Sequence, residues 1–216
     1  FTHTLSSDGV VEGAETLDSM IFWSASFSGA KAVPGKYKVV LEKNNENQEQ
    51  DFEILPDPRA EVTVSQMRLQ FDFVNKVNST VDKAHKAIKN IRNIRTKLEE
   101  FNSNFSDNEI VGSLIDKAKA LNSSLTDIEK ALYQTKNKSR QDPLNFPIKL
   151  TNKLGHLNSL VTNNDFPPTD QDELVRKELT EEVKKHLAKY EKLISQDLKN
   201  FNKEFANLNL DYLKIK

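Results

Sequence analysis

Pro56-Asp57-Pro58-Arg59 separates two hydrophobic periodicities in this chain of 216 residues. Ahead of it apolar residues alternate, the two-residue repeat of a strand. Behind it they recur every three or four residues, the repeat of a helix face. Glycine follows the same division, since Gly9, Gly13, Gly29 and Gly35 are four of the six glycines and all lie in the first 35 residues. No proline interrupts the long helical runs, where it would cost about 3 kcal/mol by removing a backbone bond and clashing with the preceding turn. The stretch predicts an α+β, mostly α chain, with a small antiparallel β module over residues 1–58 followed by four helices over residues 59–216.

Upstream of the junction, Gly35-Lys36-Tyr37-Lys38-Val39-Val40-Leu41-Glu42 places Tyr37, Val39 and Leu41 on one face. Asn44-Asn45-Glu46-Asn47 reads as a polar turn, and Asp51-Phe52-Glu53-Ile54 alternates again with Phe52 and Ile54 inward. The two runs predict an antiparallel hairpin, introduced by the turn signal Pro34-Gly35. Met20-Ile21-Phe22-Trp23 predicts a third strand. So small a sheet is marginal alone, so either the helices cover it or further strands precede Phe1. At inward positions of alternating strands, Trp23 and Tyr37 are expected in the core; a sugar-stacking platform is the alternative.

Downstream, Thr63 and Gln66 fit a capping box for a helix over about 64–102. Its stripe runs Met67, Phe71, Val74, Val77, Val81, Ala84, Ile88, Ile91, Ile94, Leu98, Phe101, a rod of about 55 Å. A second helix, over about 107–138, is expected to start at Ser106 with Glu109 in the box position. Its seam Val111, Leu114, Ala118, Leu121, Leu125, Ile128, Leu132 alternates steps of three and four, a heptad pattern. The prolines of Asp142-Pro143-Leu144-Asn145-Phe146-Pro147 push their preceding residues out of helical geometry and mark a loop. A shorter helix over about 148–163 buries Leu150, Leu154, Leu157 and Val161, and Gly155 inside it suggests a close backbone crossing. A last helix over about 170–208, capped by Asp170 and Glu173, carries Leu179, Val183, Leu187, Tyr190, Ile194, Leu198, Phe201, Phe205 and Leu208. Four amphipathic helices with short connections predict an up-down antiparallel four-helix bundle.

Composition narrows function by exclusion. The net charge is −1, with acids interleaved among the bases, so no basic face is offered to nucleic acid and none is expected as a partner. The absence of cysteine removes disulfides, thiolate catalysis and thiolate zinc sites. No apolar run reaches the roughly 18 residues of a membrane span. A chain that begins at Phe1 is expected to be processed or a fragment. No histidine among His3, His85, His156 and His186 has a metal-motif partner, and His85 and His186, flanking stripe positions, are expected at the core boundary. Glu99-Glu100 and Glu181-Glu182 read as solvated helix faces. Neither a phosphate-binding glycine loop nor a nucleophile elbow occurs, and no catalytic residue, cofactor or metal is expected. Asn-x-Ser/Thr occurs at Asn78, Asn104, Asn122 and Asn137, twice within predicted helices, which argues against glycosylation.

Several segments together resemble a known family. Trp23-Ser24 with Pro34-Gly35-Lys36-Tyr37-Lys38-Val39-Val40-Leu41 resembles the strand pair of bacterial Ig-like modules. Pro56-Asp57-Pro58-Arg59 resembles the junction that leaves such a module for a helix. Leu144-Asn145-Phe146-Pro147-Ile148-Lys149-Leu150-Thr151-Asn152-Lys153-Leu154 is similar to the segment after it, and Phe166-Pro167-Pro168-Thr169 to the step into the final helix. In this order they resemble the C-terminal region of bacterial sortilin-type, BNR-repeat β-propeller proteins, often labelled glycosyl hydrolases. The Asp boxes of that family are absent here, so any propeller active site would lie upstream. The resemblance implies a partial Ig-like module at 1–58 and a secreted, periplasmic or cell-envelope location. It further implies a non-catalytic accessory region whose partner is the upstream β-propeller, or another protein or glycan. Asp57, Pro58 and Arg59 are expected to fix the junction by turn chemistry and ion pairing, with Asn145 and Pro147 in the most specific matched segment. The alternatives are a carbohydrate-binding module, with Trp23 and Tyr37 as contacts, and a self-assembly module in which the heptad seams pair between chains as a homo-oligomer.

Overall fold

A computed structural model describes residues 28–106, 108–139 and 141–208. The described chain is mostly helical α+β: a two-stranded antiparallel hairpin, then four packed helices. Met20-Ile21-Phe22-Trp23 and His3 lie outside the described residues.

The hairpin pairs β1 (Gly35–Lys43) with β2 (Glu46–Ile54) in a register that sets Tyr37 opposite Phe52 and Leu41 opposite Gln48. The connection is tighter than the expected four-residue turn. Only Asn44 and Asn45 form it, with φ of 51° and 66°. Asparagine enters this left-handed region more readily than most residues, and two such residues in succession make the turn whose twist matches the strands. β2 therefore begins at Glu46, five residues before the alternation of Asp51-Phe52-Glu53-Ile54. The expected inward face is not enclosed. Val39 is 53% exposed, Leu41 63% and Phe52 41%, and no helix packs extensively against the hairpin.

α1 (Val64–Asn104) starts at the expected capping box. The Gln66 N–H donates to Thr63 Oγ1 at 3.2 Å, and the Thr63 N–H donates to Gln66 Oε1 at 2.8 Å. Every residue of its predicted stripe lies in the core or packs against it. α2 (Gly112–Leu132) is shorter than the expected 107–138. A 3-10 turn, Glu109–Val111, precedes it, and Ser106 forms no cap on α2; its hydroxyl donates to the Ser103 carbonyl. Asn108 Oδ1 takes the Ile110 N–H instead, at 3.0 Å. At the other end, Tyr133 is extended, and side chains capture the following backbone. Gln134 accepts from the Lys136 N–H, while Asp142 accepts from those of Lys138 and Ser139. Such local bonds compete with helix continuation. All seven seam residues of α2 are buried within this one chain.

α3 (Leu150–Val161) is trimmed by two residues at each end relative to the sequence reading. Gly155 is buried, as are Leu154, Leu157 and Val161. The last helix consists of α4 (Asp170–Lys192), a π-helical turn (Leu193–Leu198) and α5 (Lys199–Asn207). Its cap is Thr169 with Asp172, one residue ahead of the expected Asp170 with Glu173. The threonine hydroxyl accepts from an N–H three residues on and the aspartate returns the bond, so the motif is the same in a shifted frame. Of the predicted stripe only Val183 and Phe201 are fully buried; the other residues are partly covered. Near the end of α1, Phe101, Phe105, Phe201 and Phe205 pack with ring centroids 5.1 to 5.6 Å apart, mostly edge to face.

Ala30 and Val33 also enter this helical core. Asn78 Nδ2 donates to the Ser28 carbonyl at 2.9 Å, and Lys31 pairs with Asp165. Residues 28–33, on the β side of the junction, are thus tied to the helices.

Candidate functional site

At the junction, Asp57 Oδ1 accepts from the Arg59 backbone N–H at 2.9 Å and from its Nε at 3.0 Å, while Oδ2 accepts from Nη2 at 2.8 Å. The Ala60 N–H closes the turn on the Asp57 carbonyl. The Arg59 side-chain bonds, then its backbone bond, hold the Asp57 carboxyl below the usual carboxylate range. Pro58 fixes the backbone between them. This exposed clamp shapes the chain and encloses no space.

Tyr37 and Phe52 are cross-strand partners with ring centroids 5.7 Å apart and planes 27° from parallel. The Tyr37 hydroxyl donates to the Val33 carbonyl at 2.5 Å. Each ring covers part of the other, and Tyr37 is half-buried where full burial was expected. Trp23, its proposed companion, lies outside the described residues. An open depression at the hairpin is lined by Lys36, Tyr37, Lys38, Asp51, Phe52 and Glu53.

Asn145 and Pro147 sit in the α2–α3 connection. The chain makes a 3-10 turn, Asp142–Leu144, and the Asn145 N–H closes it on the Asp142 carbonyl at 2.9 Å. The Pro147 carbonyl accepts from Gln134 Nε2 at 2.7 Å, and Lys136 Nζ lies 5.5 Å from the centre of the Phe146 ring. Asp142, bonded to the N–H groups of Lys138 and Ser139 and to the Ser139 hydroxyl, is held below the ordinary carboxylate pKa by those bonds in that order. The structure does not bring Tyr37, the junction residues and this loop to one point; each is tied up locally.

The most developed polar cluster was absent from the sequence reading. Glu129, 2% exposed on α2, receives Arg92 Nε on Oε1 at 2.7 Å and Arg95 Nη1 on Oε2 at 2.8 Å. Arg95 Nε also donates to Asn122 Oδ1 at 2.9 Å, and Arg92 stacks 5.2 Å from the centre of the Tyr133 ring. Burial pushes the Tyr133 phenol up, opposed by the charge of Arg92. Arg92 and Arg95 sit three apart on one helix face, within reach of one carboxylate on the neighbouring helix. That spacing was the available signal.

The helix stripes, read as purely apolar, carry a second polar strip where α3 meets α1 and the end of α2. Asn158 Nδ2 donates to Asn78 Oδ1 at 2.8 Å, and Thr151 Oγ1 donates to the Leu132 carbonyl. Gln70 Nε2 lies 2.7 to 3.0 Å from the carbonyls of Val161, Asn164 and Phe166. His85 is fully buried, not at the boundary, whereas His186 is half-buried as expected. Burial first, then Lys189, holds the His186 imidazole below its ordinary pKa. Asn158 Nδ2, Thr151 Oγ1 and Gln70 Nε2 are accommodated there because each finds an oxygen acceptor. Of the glycosylation triplets, Asn78 is buried, and Asn122 accepts the Arg95 bond.

Beside the π-helical turn an open groove of about 290 Å³ runs between α2 and α5, lined by Leu121, Leu193, Asp197, Asn200 and Phe201 among others. Lys117 and Glu204 form an ion pair across it. Among the described residues no group of three or more His, Asp or Glu could hold a metal ion, and no helix is long and apolar enough to cross a membrane.

Comparison with protein-family models, with curated proteins and with solved structures finds no match for this chain.

Proposed function

We propose that this chain is a non-catalytic accessory region that positions a neighbouring domain or partner. The observation that carries the reading is the state of its best-built polar cluster. Both oxygens of the buried Glu129 are engaged by guanidinium groups, and at 2% exposure the lone pairs that remain are closed off from a substrate. A general base needs such a lone pair within hydrogen-bond reach of the proton that it removes. The apolar stripes are likewise used up in helix packing.

In this reading the helices over 59–216 form an up-down antiparallel bundle that serves as a rigid docking element. The hairpin belongs to a partial Ig-like module over 1–58. The segments around Trp23, Gly35, Asp57, Asn145 and Phe166 support placing the pair at the C-terminal end of a secreted or envelope BNR-repeat propeller protein, with that propeller as partner. Two tests separate these layers. Sequencing the coding region upstream of Phe1 should reveal Asp-box repeats; their absence overturns the family placement. Incubation with a panel of aryl glycosides should give no turnover. Hydrolysis abolished by changing one carboxylate of this chain overturns the non-catalytic reading.

A carbohydrate-binding role is favoured by one observation, the exposure of Phe52 beside Tyr37 next to a depression flanked by Lys36, Lys38, Asp51 and Glu53. Aromatic faces with polar neighbours suit sugar rings. Glycan-array binding lost in both Tyr37→Ala and Phe52→Ala would support it, and an array without hits would remove it.

A further inference from the structure

We propose that the outer edge of β1 pairs with the same edge of a second copy, giving a two-fold, four-stranded sheet β2-β1-β1-β2. This inference does not depend on the accessory reading. Among the described residues the hairpin is a two-stranded sheet, which is marginal in water unless further strands or a covering element join it. It exposes Val39, Leu41 and Phe52 and, among the described residues, has an unpaired edge on each side, a template for strand addition.

The charges select which edge and which occupant. β2 carries Glu46, Glu49, Asp51 and Glu53 and no base, so two β2 edges centred on Gln50 set Glu49 against Asp51 of the other copy. β1 carries Lys36, Lys38 and Lys43 with Glu42. Two antiparallel β1 strands centred on Val39 set Lys36 opposite Glu42 twice, Tyr37 opposite Leu41 twice, and Val39 opposite itself. All nine residues overlap. Among the described residues neither Lys36 nor Glu42 is in an ion pair, whereas Lys38 is engaged by Glu49. Backbone polarity agrees. In a two-residue hairpin the residues flanking the turn, Lys43 and Glu46, exchange both bonds, so odd-numbered residues of β1 face β2. Lys36, Lys38, Val40 and Glu42 then turn their N–H and C=O groups outward and pair with one another in this register.

Geometry selects closure. Pairing β1 of one copy with β2 of the next matches charge equally well, but it advances only two strand spacings, about 10 Å, per copy. Two helix layers are about 20 Å across, so successive bundles would collide. The bundle joins the hairpin at the Gly35–Ile54 end. Antiparallel β1–β1 pairing sends the two bundles to opposite ends of a sheet about 30 Å long, and the assembly closes at two copies.

Sedimentation equilibrium of the whole chain tests this. Wild type should reach twice 24.6 kDa as concentration rises. Glu42→Lys sets lysine against Lys36 of the other copy, and Lys36→Glu sets glutamate against Glu42. Each should weaken the dimer at least tenfold, an equimolar mixture of the two should form a heterodimer, and the double variant in one chain should regain the homodimer. Lys36→Glu also meets Glu53 across the hairpin, but the double variant retains that contact, so its recovery separates pairing from hairpin damage. A wild type that stays monomeric at millimolar concentration, an open polymer, or a dimer indifferent to Glu42→Lys each overturns the proposal.

Discussion

The packed helices and the hairpin each carry the apolar period proper to their element and end with opposite exposures. Leu121 and Leu125 of α2 are 5% and 0% exposed, whereas Leu41 of β1 is 63% exposed. A helix stripe can be covered by any neighbour of matching length, and this chain supplies three. A sheet face needs a second layer, and the described residues bring no helix across it. The difference teaches that periodicity reports which side of an element is apolar, not whether anything lies against it.

The sharpest way to break this contrast is to truncate one leucine in each region. Leu121→Ala should cost about 2–5 kcal/mol, the lost transfer energy plus a cavity, and Leu41→Ala less than about 0.5 kcal/mol, both from urea midpoints. Equal losses would mean that the hairpin face is covered. A smaller effect should come from Glu129→Gln, which leaves two guanidinium groups facing a neutral amide. The arginines are 37% and 28% exposed and can turn toward water, so the cost should be about 1–3 kcal/mol. An unchanged midpoint would show that the cluster is energetically idle.

Thr169→Ala removes the acceptor for the Asp172 N–H and should cost about 1 kcal/mol, read as loss of helical circular dichroism at lower temperature. The least effect should come from pH. The folded state holds His186 below its ordinary pKa of 6.5, so the unfolded chain binds the proton more tightly. This contribution is intact above that pKa and is lost as pH falls below it through the folded pKa. His186→Gln should therefore lessen the drop in Tm between pH 7 and 5. A larger drop in the variant would reverse the sign.

Much of the fold was legible in the order of residues. The Thr63–Gln66 box, the seam from Val111 to Leu132 and the presence of an antiparallel hairpin are short-range patterns that local chemistry enforces, whereas the register of Tyr37 against Phe52 depends on a turn two residues tighter than the sequence suggests. The missed features depend on distant partners or on competition. The end of α2 at Leu132 is decided by Gln134 and Asp142 capturing backbone groups across the loop, including the Pro147 carbonyl. The π-helical turn leaves no distinct trace, since the successive four-residue steps Tyr190–Ile194–Leu198 also occur at Leu179–Val183–Leu187 in regular α-helix. Nothing in the helix that carries Glu129 reveals that Arg92 and Arg95 stand opposite it. The same holds for Asn78 and Asn158, separated by 80 residues and joined by one hydrogen bond. Candidate chemistry was thus less legible than architecture, since a buried polar pair has no periodicity of its own.

The central claim is that apolar faces are consumed where the helices pack and left open on the hairpin. Residue-resolved native-state hydrogen exchange tests it most directly, performed on the Glu42→Lys variant so that strand pairing between copies does not add protection. The account predicts that the amides of Val77, Val81, Leu121 and Leu125 exchange only through global unfolding, while those of Tyr37, Val39 and Leu41 exchange through a far smaller opening free energy. Hairpin amides as protected as those of α1 and α2 would contradict it.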